Sequence, residues 1–320
     1  MIIILFTLVI SIPIIIFSID LSHYGRINES KTFYYQAENS STIKQLNVNT
    51  QIGEIELVYD IYLVDHVAKI DLELDMLGRN LVDKNFSDFF DILWQNVSDI
   101  VNFTMKIKTE WDLEQVISFI RNLKITLTLR ADVSCDIDLI VPARGDVRLN
   151  VPIGISIGNI FANVSQGNIN LNFRECIVKG NITAIIHDEG ELYLTMYEVE
   201  YIHNSTWYFN TGAGDIFIDI VQNVDMKANI SGIFTHRQGD IRFIYQDTNS
   251  NNSAYFKLHV NPNDYAFSQA IKQISGFIPD SVTGQNIYNL LSEDYPAKYN
   301  FNLLLNNTNG LYRMLDLDNY

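Results

Sequence analysis

The sequence predicts an all-β chain, wound as a β-solenoid or β-helix-like stack of short strands with small α-helical caps. Three observations predict it. First, a glycine followed by an acidic residue or asparagine opens six short stretches: GEIELVY at Gly53, GDVRLNV at Gly145, GNINLNF at Gly167, GELYLTM at Gly190, GDIFIDI at Gly214 and GDIRFIY at Gly239. Second, all eighteen residues at positions +2, +4 and +6 after these glycines are apolar or Tyr, whereas +1, +3 and +5 hold only Val58, Tyr193, Phe217 and Ile244 of that kind. A period of two is a strand with one buried and one wetted face. Third, the last five glycines stand 22, 23, 24 and 25 residues apart. A unit of that size cannot bury its apolar face alone, but it can when stacked on its neighbours. A β-sandwich is the alternative, since it also alternates strands with glycine turns, but it has no need of even spacing.

The chain divides into four parts. Residues 1–20 read MIIILFTLVISIPIIIFSID, with no charge between positions 2 and 19. Eighteen such residues span about 27 Å as a helix, close to the hydrocarbon thickness of a bilayer. The segment is therefore a transmembrane anchor or a signal peptide. No Lys or Arg precedes it and no small-x-small cleavage site follows, which favours the anchor. Residues 21–124 form an N-terminal β region with helical insertions. Within it, NFSDFFDILWQNVSDI carries an aromatic set suited to a short helix or packed loop. TEWDLEQVISFIRNL has Thr109 or Asp112 as cap and Leu113, Val116, Ile117 and Ile120 at helical spacing. Residues 125–260 hold the repeats, with weaker half-repeats from Gly158, Gly180 and Gly232. Residues 261–320 are expected to add a short helix after a proline turn. A terminal β-hairpin would follow, turning at Asn309-Gly310. Both flanks serve as caps, because an open solenoid end exposes a strand edge and an apolar cross-section.

The recurring G-[DN]-[IV]-x-[LI] strand resembles the candidate-adhesin β-strand-repeat family, a domain of unknown function. The resemblance covers roughly residues 125 to 260 and the separate LNVNTQIGEIELVYD near 46 to 60, and the Ile- and Asn-rich composition is similar to archaeal members. It implies a solenoid-like fold and a surface location, and it supplies no catalytic residues.

Composition narrows the function classes. A net charge of −16 argues against nucleic acid as partner, since phosphate binding needs clustered Lys and Arg. Eleven Asn-x-Ser/Thr sequons occur, at Asn28, Asn39, Asn85, Asn96, Asn102, Asn163, Asn181, Asn204, Asn229, Asn251 and Asn306. With 33 asparagines and about 11% Ser plus Thr, chance supplies roughly four, so the excess points to export and glycosylation. Cys135 and Cys176 are the two cysteines. They form either one disulfide, closing a loop of about 40 residues for around 3 to 4 kcal/mol, or two buried thiols.

The search for chemistry returns little. No His-Glu-x-x-His, G-x-S-x-G or phosphate-cradling loop is present, and no cofactor or metal site is expected. His187, Asp188 and Glu189 read as a polar turn. Asp136 and Asp138, with Asp132 two residues beyond Ser134, could share a cation but read better as a solvated acidic strand face. The outward +3 positions run Arg148, Asn170, Tyr193, Phe217 and Arg242, without a carboxylate pair. The expectation is a cell-surface protein, anchored on the outer face of the membrane through its N-terminal segment or secreted. Its role would be binding, adhesion or envelope structure, toward surface glycans or other envelope proteins. The rival is a carbohydrate-active β-helix enzyme, a polysaccharide lyase or hydrolase.

Overall fold

The computed structural model describes residues 24–35, 43–201, 204–222, 228–238, 241–247, 254–260, 278–282, 287–291, 299–307 and 312–316, with side chains through Val221 and at Ser231 and Ile233. The apolar segment 1–20 and the helix expected after residue 261 lie outside the described residues. Among the described residues, no helix is long and apolar enough to cross a membrane.

In chain order the first elements are β1 (Tyr24–Tyr35), β2 (Gln45–Thr50), β3 (Glu54–Asp60), β4 (Ala68–Arg79), α1 (Phe86–Phe89), β5 (Phe90–Val97), β6 (Ile100–Ile107), α2 (Leu113–Phe119) and β7 (Ile120–Arg130). The repeats follow as three-strand coils. They are β8 (Asp136–Arg144), β9 (Val147–Val151) and β10 (Ser156–Ile157); β11 (Ile160–Gln166), β12 (Ile169–Arg174) and β13 (Ile177–Val178); then β14 (Ile182–Glu189), β15 (Leu192–Tyr197) and β16 (Glu200–Tyr201). Among the described residues the stack continues as β17 (Ser205–Ala213) with β18 (Ile216–Gln222), and β19 (Ala228–Gln238) with β20 (Ile241–Asp247). Last come β21 (Ala254–Val260), β22 (Ile278–Val282), β23 (Ile287–Leu291), β24 (Tyr299–Asn307) and β25 (Tyr312–Asp316).

Successive coils add one strand to each of two long sheets. One sheet has ten strands, ordered β1-β4-β7-β3-β9-β12-β15-β18-β20-β25, and the other twelve, ordered β22-β23-β21-β24-β19-β17-β14-β11-β8-β2-β6-β5; β10, β13 and β16 make a short third side. Parallel register without offset decides for the solenoid over the sandwich. Leu57, Leu149, Leu171, Leu194 and Ile218 stand in one inward column, each at most 1% exposed. The column exists because every coil repeats the same two-residue alternation, so one rung's buried residue lies over the next rung's. Each such Leu or Ile contributes about 1.5–3 kcal/mol by leaving water.

The rungs do not stack in sequence order. β3 lies between β7 and β9, and β2 between β6 and β8, so the rung of residues 45–60 is held between those of 100–130 and 136–151. The chain thus builds its second rung outward, through β4 to β7, before it returns to the other side of the first. Antiparallel strands finish that end. β1 pairs with β4 and β4 with β7 in one sheet, and β5 pairs with β6 in the other. The edge strand β1 carries charge, including Arg26, whose guanidinium donates to both oxygens of Asp75 at 2.8 and 2.9 Å, and charge discourages further strand addition.

The aromatic run opens with a single helical turn. Asn85 caps the single turn of α1 in a reciprocal box with Asp88, and Phe86, Phe89 and Phe90 are buried beneath it. Past this turn the segment is strand β5 rather than helix. Trp111 packs against Phe89 with ring centres 4.5 Å apart and planes tilted by 34°, and it donates its indole N–H to the Asp88 carbonyl at 2.8 Å. Asp112 is the cap of α2, accepting from the Gln115 N–H, and Val116 is that helix's buried residue.

The expected C-terminal hairpin is not formed. β24 enters the twelve-stranded sheet beside β19, and β25 enters the ten-stranded sheet beside β20, both parallel. Tyr312 pairs with Ile241, and it follows Gly310 by two residues as Ile241 follows Gly239. The two strands expected to pair with each other thus lie in different sheets, and the Asn309-Gly310 pair between them is outside the described residues.

Candidate functional site

The corner glycines stand in a column, and their missing side chains make it possible. The N–H of Gly53 donates to the Arg144 carbonyl at 3.0 Å, and those of Gly145, Gly167 and Gly190 donate to the carbonyls of Gln166, Glu189 and Ala213 at 2.9 Å. A Cβ on Gly145, Gly167, Gly190 or Gly214 would lie within 2.1 Å of the preceding glycine's carbonyl oxygen. Gly239 is outside the described residues.

The +1 residues, acidic or Asn in the sequence, hold the corners together. The Asn168 N–H donates to Asp146 at 2.7 Å, and the Glu191 N–H donates to the Asn168 side-chain oxygen at 2.8 Å. A second ladder runs up the opposite corner. There the N–H groups of Asn159, Asn181 and Thr206 donate to the side chains of Asp136, Asn159 and Asn181 at 2.7, 2.9 and 2.9 Å. Side-chain oxygens thus satisfy backbone donors that the turn leaves without a strand partner. The Gly-Asn pairs at 158 and 180 were the legible trace of this ladder.

Along the glycine column lies an open groove of about 650 Å³. Its floor is the backbone of Gly53, Gly145, Gly167 and Gly190, and its wall is Ile117 of α2 with Ile120 to Leu123 of β7. Arg121 and Arg144 reach it together with Glu54, Asp146 and Glu189. Two of these carboxylates have structural partners: Asp146 accepts from the Asn168 amide, and Glu54 pairs with Arg148 at 3.1 Å. A mixed-charge groove with a side-chain-free floor suits an extended polar ligand. Sequence reasoning missed it, because it joins the repeat to a helix inserted between two rungs.

Beside the groove is the outward face of the ten-stranded sheet. Its +3 residues line up as Arg148, Asn170, Tyr193 and Phe217, and the same register column continues through the backbone positions of Arg242 in β20 and Arg313 in β25. The Tyr193 and Phe217 rings are stacked, 4.7 Å apart and 3° from parallel, and the Tyr193 hydroxyl donates to Glu191. Asn150, Asn172, Thr195 and Asp219 form the next row. Burial raises the Asp219 carboxyl above its ordinary range.

The remaining sequence candidates fall in separate places. Asp136 accepts from Asn159, Asp138 from the Gln45 amide at 2.9 Å, and Asp132 pairs with Arg130 at 2.6 Å, so the three do not converge. Burial first, and then the charge of Asp136, raise the Asp138 pKa. Among the described residues no group of His, Cys, Asp and Glu is arranged to hold a metal ion. His187, Asp188 and Glu189 are exposed at the end of β14. Cys135 and Cys176 are buried, separate thiols, and burial pushes each pKa up to about 12. The Tyr59 phenol, raised well above its ordinary range by burial, lies close enough to both to feel their charge.

Of the sequons, Asn28 is on β1 and Asn85 caps α1. Asn96, Asn102, Asn163, Asn229 and Asn306 are on β5, β6, β11, β19 and β24, and Asn181 and Asn204 immediately precede β14 and β17. Asn39 and Asn251 lie outside the described residues.

No protein-family model matches the chain, and no curated protein matches it. Solved structures resemble it at low identity, among them two bacterial ones. A candidate cell adhesion protein from Clostridium sporogenes is 11% identical, with a TM-score of 0.37 over 90% of this chain and 99% of its own. A candidate adhesin from Bacteroides fragilis is 9% identical, with a TM-score of 0.39 over 91% of this chain and 97% of its own.

Proposed function

We propose that the chain is an exported, glycosylated cell-surface protein that binds an extended polar partner along the outward face of its ten-stranded sheet. The partner would be a surface glycan or the polar surface of another envelope protein. The observation that carries this reading is the in-register column Arg148, Asn170, Tyr193, Phe217 and Arg242, with two rings stacked at its centre. Aromatic faces, amides and guanidinium groups on a rigid sheet give contact area and hydrogen bonds at small ordering cost. The excess of sequons supports export, and the uncharged segment 2–19 supports attachment to the outer face of the membrane.

Glycan arrays and immobilised envelope fractions test the reading. Wild-type protein should be retained, and replacing both Tyr193 and Phe217 by Ala should weaken retention about tenfold or more. Equal retention of the double variant would refute the assigned face.

The groove favours a second reading, a carbohydrate-active enzyme, because Glu54, Asp146 and Glu189 all reach it. Incubation with acidic and neutral polysaccharides separates the two. Cleavage that disappears in Glu189→Gln, together with no retention on arrays, would favour the enzyme.

A further inference from the structure

The sequons are not scattered over the coil. Nine of the eleven fall on described residues. Seven of those nine are on, or immediately before, a strand of the twelve-stranded sheet: Asn96, Asn102, Asn163, Asn181, Asn204, Asn229 and Asn306. Asn28 is on the outermost strand of the other sheet and Asn85 is at a helix cap. The strands β3, β7, β9, β12, β15, β18, β20 and β25 hold none.

Asparagine itself is not missing from those strands. Asn122, Asn150, Asn170 and Asn172 are there, but two residues later come Lys124, Pro152, Asn172 and Arg174 where a sequon needs Ser or Thr. Two residues after the seven asparagines of the twelve-stranded sheet the sequence has Ser98, Thr104, Ser165, Thr183, Thr206, Ser231 and Thr308. Hydroxyl residues also occur on the ten-stranded sheet, at Thr126, Thr128 and Thr195, none of them two residues after an asparagine. Supply of either residue type therefore does not account for the asymmetry.

The local chemistry of two sites is compatible with modification. In β6 and β11 burial alternates so that Val101, Phe103, Ala162 and Val164 point inward, which turns Asn102 and Asn163 outward. Asn102 accepts a hydrogen bond from the Asn47 amide on its side-chain oxygen at 2.8 Å. Asn181 accepts from the Thr206 N–H on the same atom at 2.9 Å. In both, the oxygen has the structural role, and Nδ2, the atom that bonds sugar, takes no part in that contact.

We infer that the twelve-stranded sheet is a glycan-bearing face, with N-glycans on Asn102, Asn163, Asn181 and Asn204, and that the ten-stranded sheet is kept bare for its partner. Each linkage forms a bond from Nδ2 to the anomeric carbon of a sugar donor activated as a phosphate or pyrophosphate ester. Nδ2 gives up one proton and the phosphorylated carrier leaves. Neighbouring strands lie about 4.8 Å apart, so glycans on β6, β11 and the starts of β14 and β17 would overlap into one hydrophilic layer. The inference rests on the surface reading above and adds which face is covered.

The test uses full-length protein from its native cells, read in two ways. Peptide mass spectrometry maps glycan mass on each asparagine, and protease added to intact cells reports exposure. Glycan mass on Asn102, Asn163, Asn181 and Asn204, in protein that external protease cuts, is the expected result. Protein that is cut but carries unmodified asparagine at these sites overturns the glycan face and leaves the surface reading standing. Glycan confined to Asn28 or Asn85 also overturns the glycan face. Protein that is neither cut nor modified overturns both.

Discussion

Replacing Gly167 by Ala should be among the most damaging single-methyl changes in the chain. The new Cβ would stand 2.1 Å from the Gly145 carbonyl oxygen and 2.7 Å from its carbonyl carbon. Ordinary contact is about 3.5 Å, so one rung would have to move about 1.4 Å relative to the next. The backbone at 167 is at φ +135°, where a side chain adds about 1–3 kcal/mol of strain. The movement also distorts two rung hydrogen bonds, Gly145 to Gln166 and Gly167 to Glu189, each worth about 1 kcal/mol. Together these cost about 3–5 kcal/mol. Gly154 is the control. Its φ is +77°, but nothing lies within 4 Å of an added Cβ, so Gly154→Ala should cost only about 1–2 kcal/mol. Urea unfolding of both variants, followed by circular dichroism and by tryptophan fluorescence, to which buried Trp207 contributes beside Trp94 and Trp111, compares them directly. A Gly167→Ala cost equal to or below that of Gly154→Ala would refute the stacked corner.

Other consequences follow from the ladders and the buried groups. Asn168→Ala removes the acceptor of the Glu191 N–H and should cost about 1 kcal/mol in urea unfolding, whereas outward Asn170→Ala should stay within about 0.5 kcal/mol of wild type. Asp138 has its folded pKa raised above the unfolded value, so the native state holds the proton more tightly. Stability from this group therefore falls as pH rises from the ordinary carboxylate range through the raised value. Asp138→Asn should flatten that acid-side slope in melting temperature and leave neutral-pH stability unchanged or higher. With both thiols buried and their pKa values near 12, native protein should resist iodoacetamide at pH 8, and two thiols should label once it is unfolded without reductant.

The buried face was the most legible part of this fold. Ile169, Leu171 and Phe173 are each at most 1% exposed, as alternation demands, and their counterparts behave alike from Val147 to Ile220. Tyr59, near the end of its strand, is only partly buried. Rung order was not legible, for a physical reason: strands that share one period and one inward pattern can pair in any sequence. What puts residues 45–60 between two later rungs is the path of β4 to β7, which is a long-range matter. The C-terminal hairpin reading misled because β24 and β25 each find a parallel partner in the preceding rung, β19 and β20, and those partners are distant in sequence. At the candidate site, the +3 column could be read from the glycine offsets alone. The groove could not, since Ile117 and Arg121 meet Gly145 and Gly167 only through folding. Nor could the one-sidedness of the sequons, which needs the assignment of each strand to its sheet.

The stack itself is tested most directly by a distance between spin labels placed at Glu56 and Arg242, which share one register column of the ten-stranded sheet. Five strand steps separate them, from β3 through β9, β12, β15 and β18 to β20. At about 4.8 Å per step, double electron–electron resonance should give a distance centred near 24 Å. A solenoid laid down in sequence order would interpose β7 and give about 29 Å. That longer distance would contradict the interleaved stack, and a broad distribution without a peak would contradict the solenoid altogether.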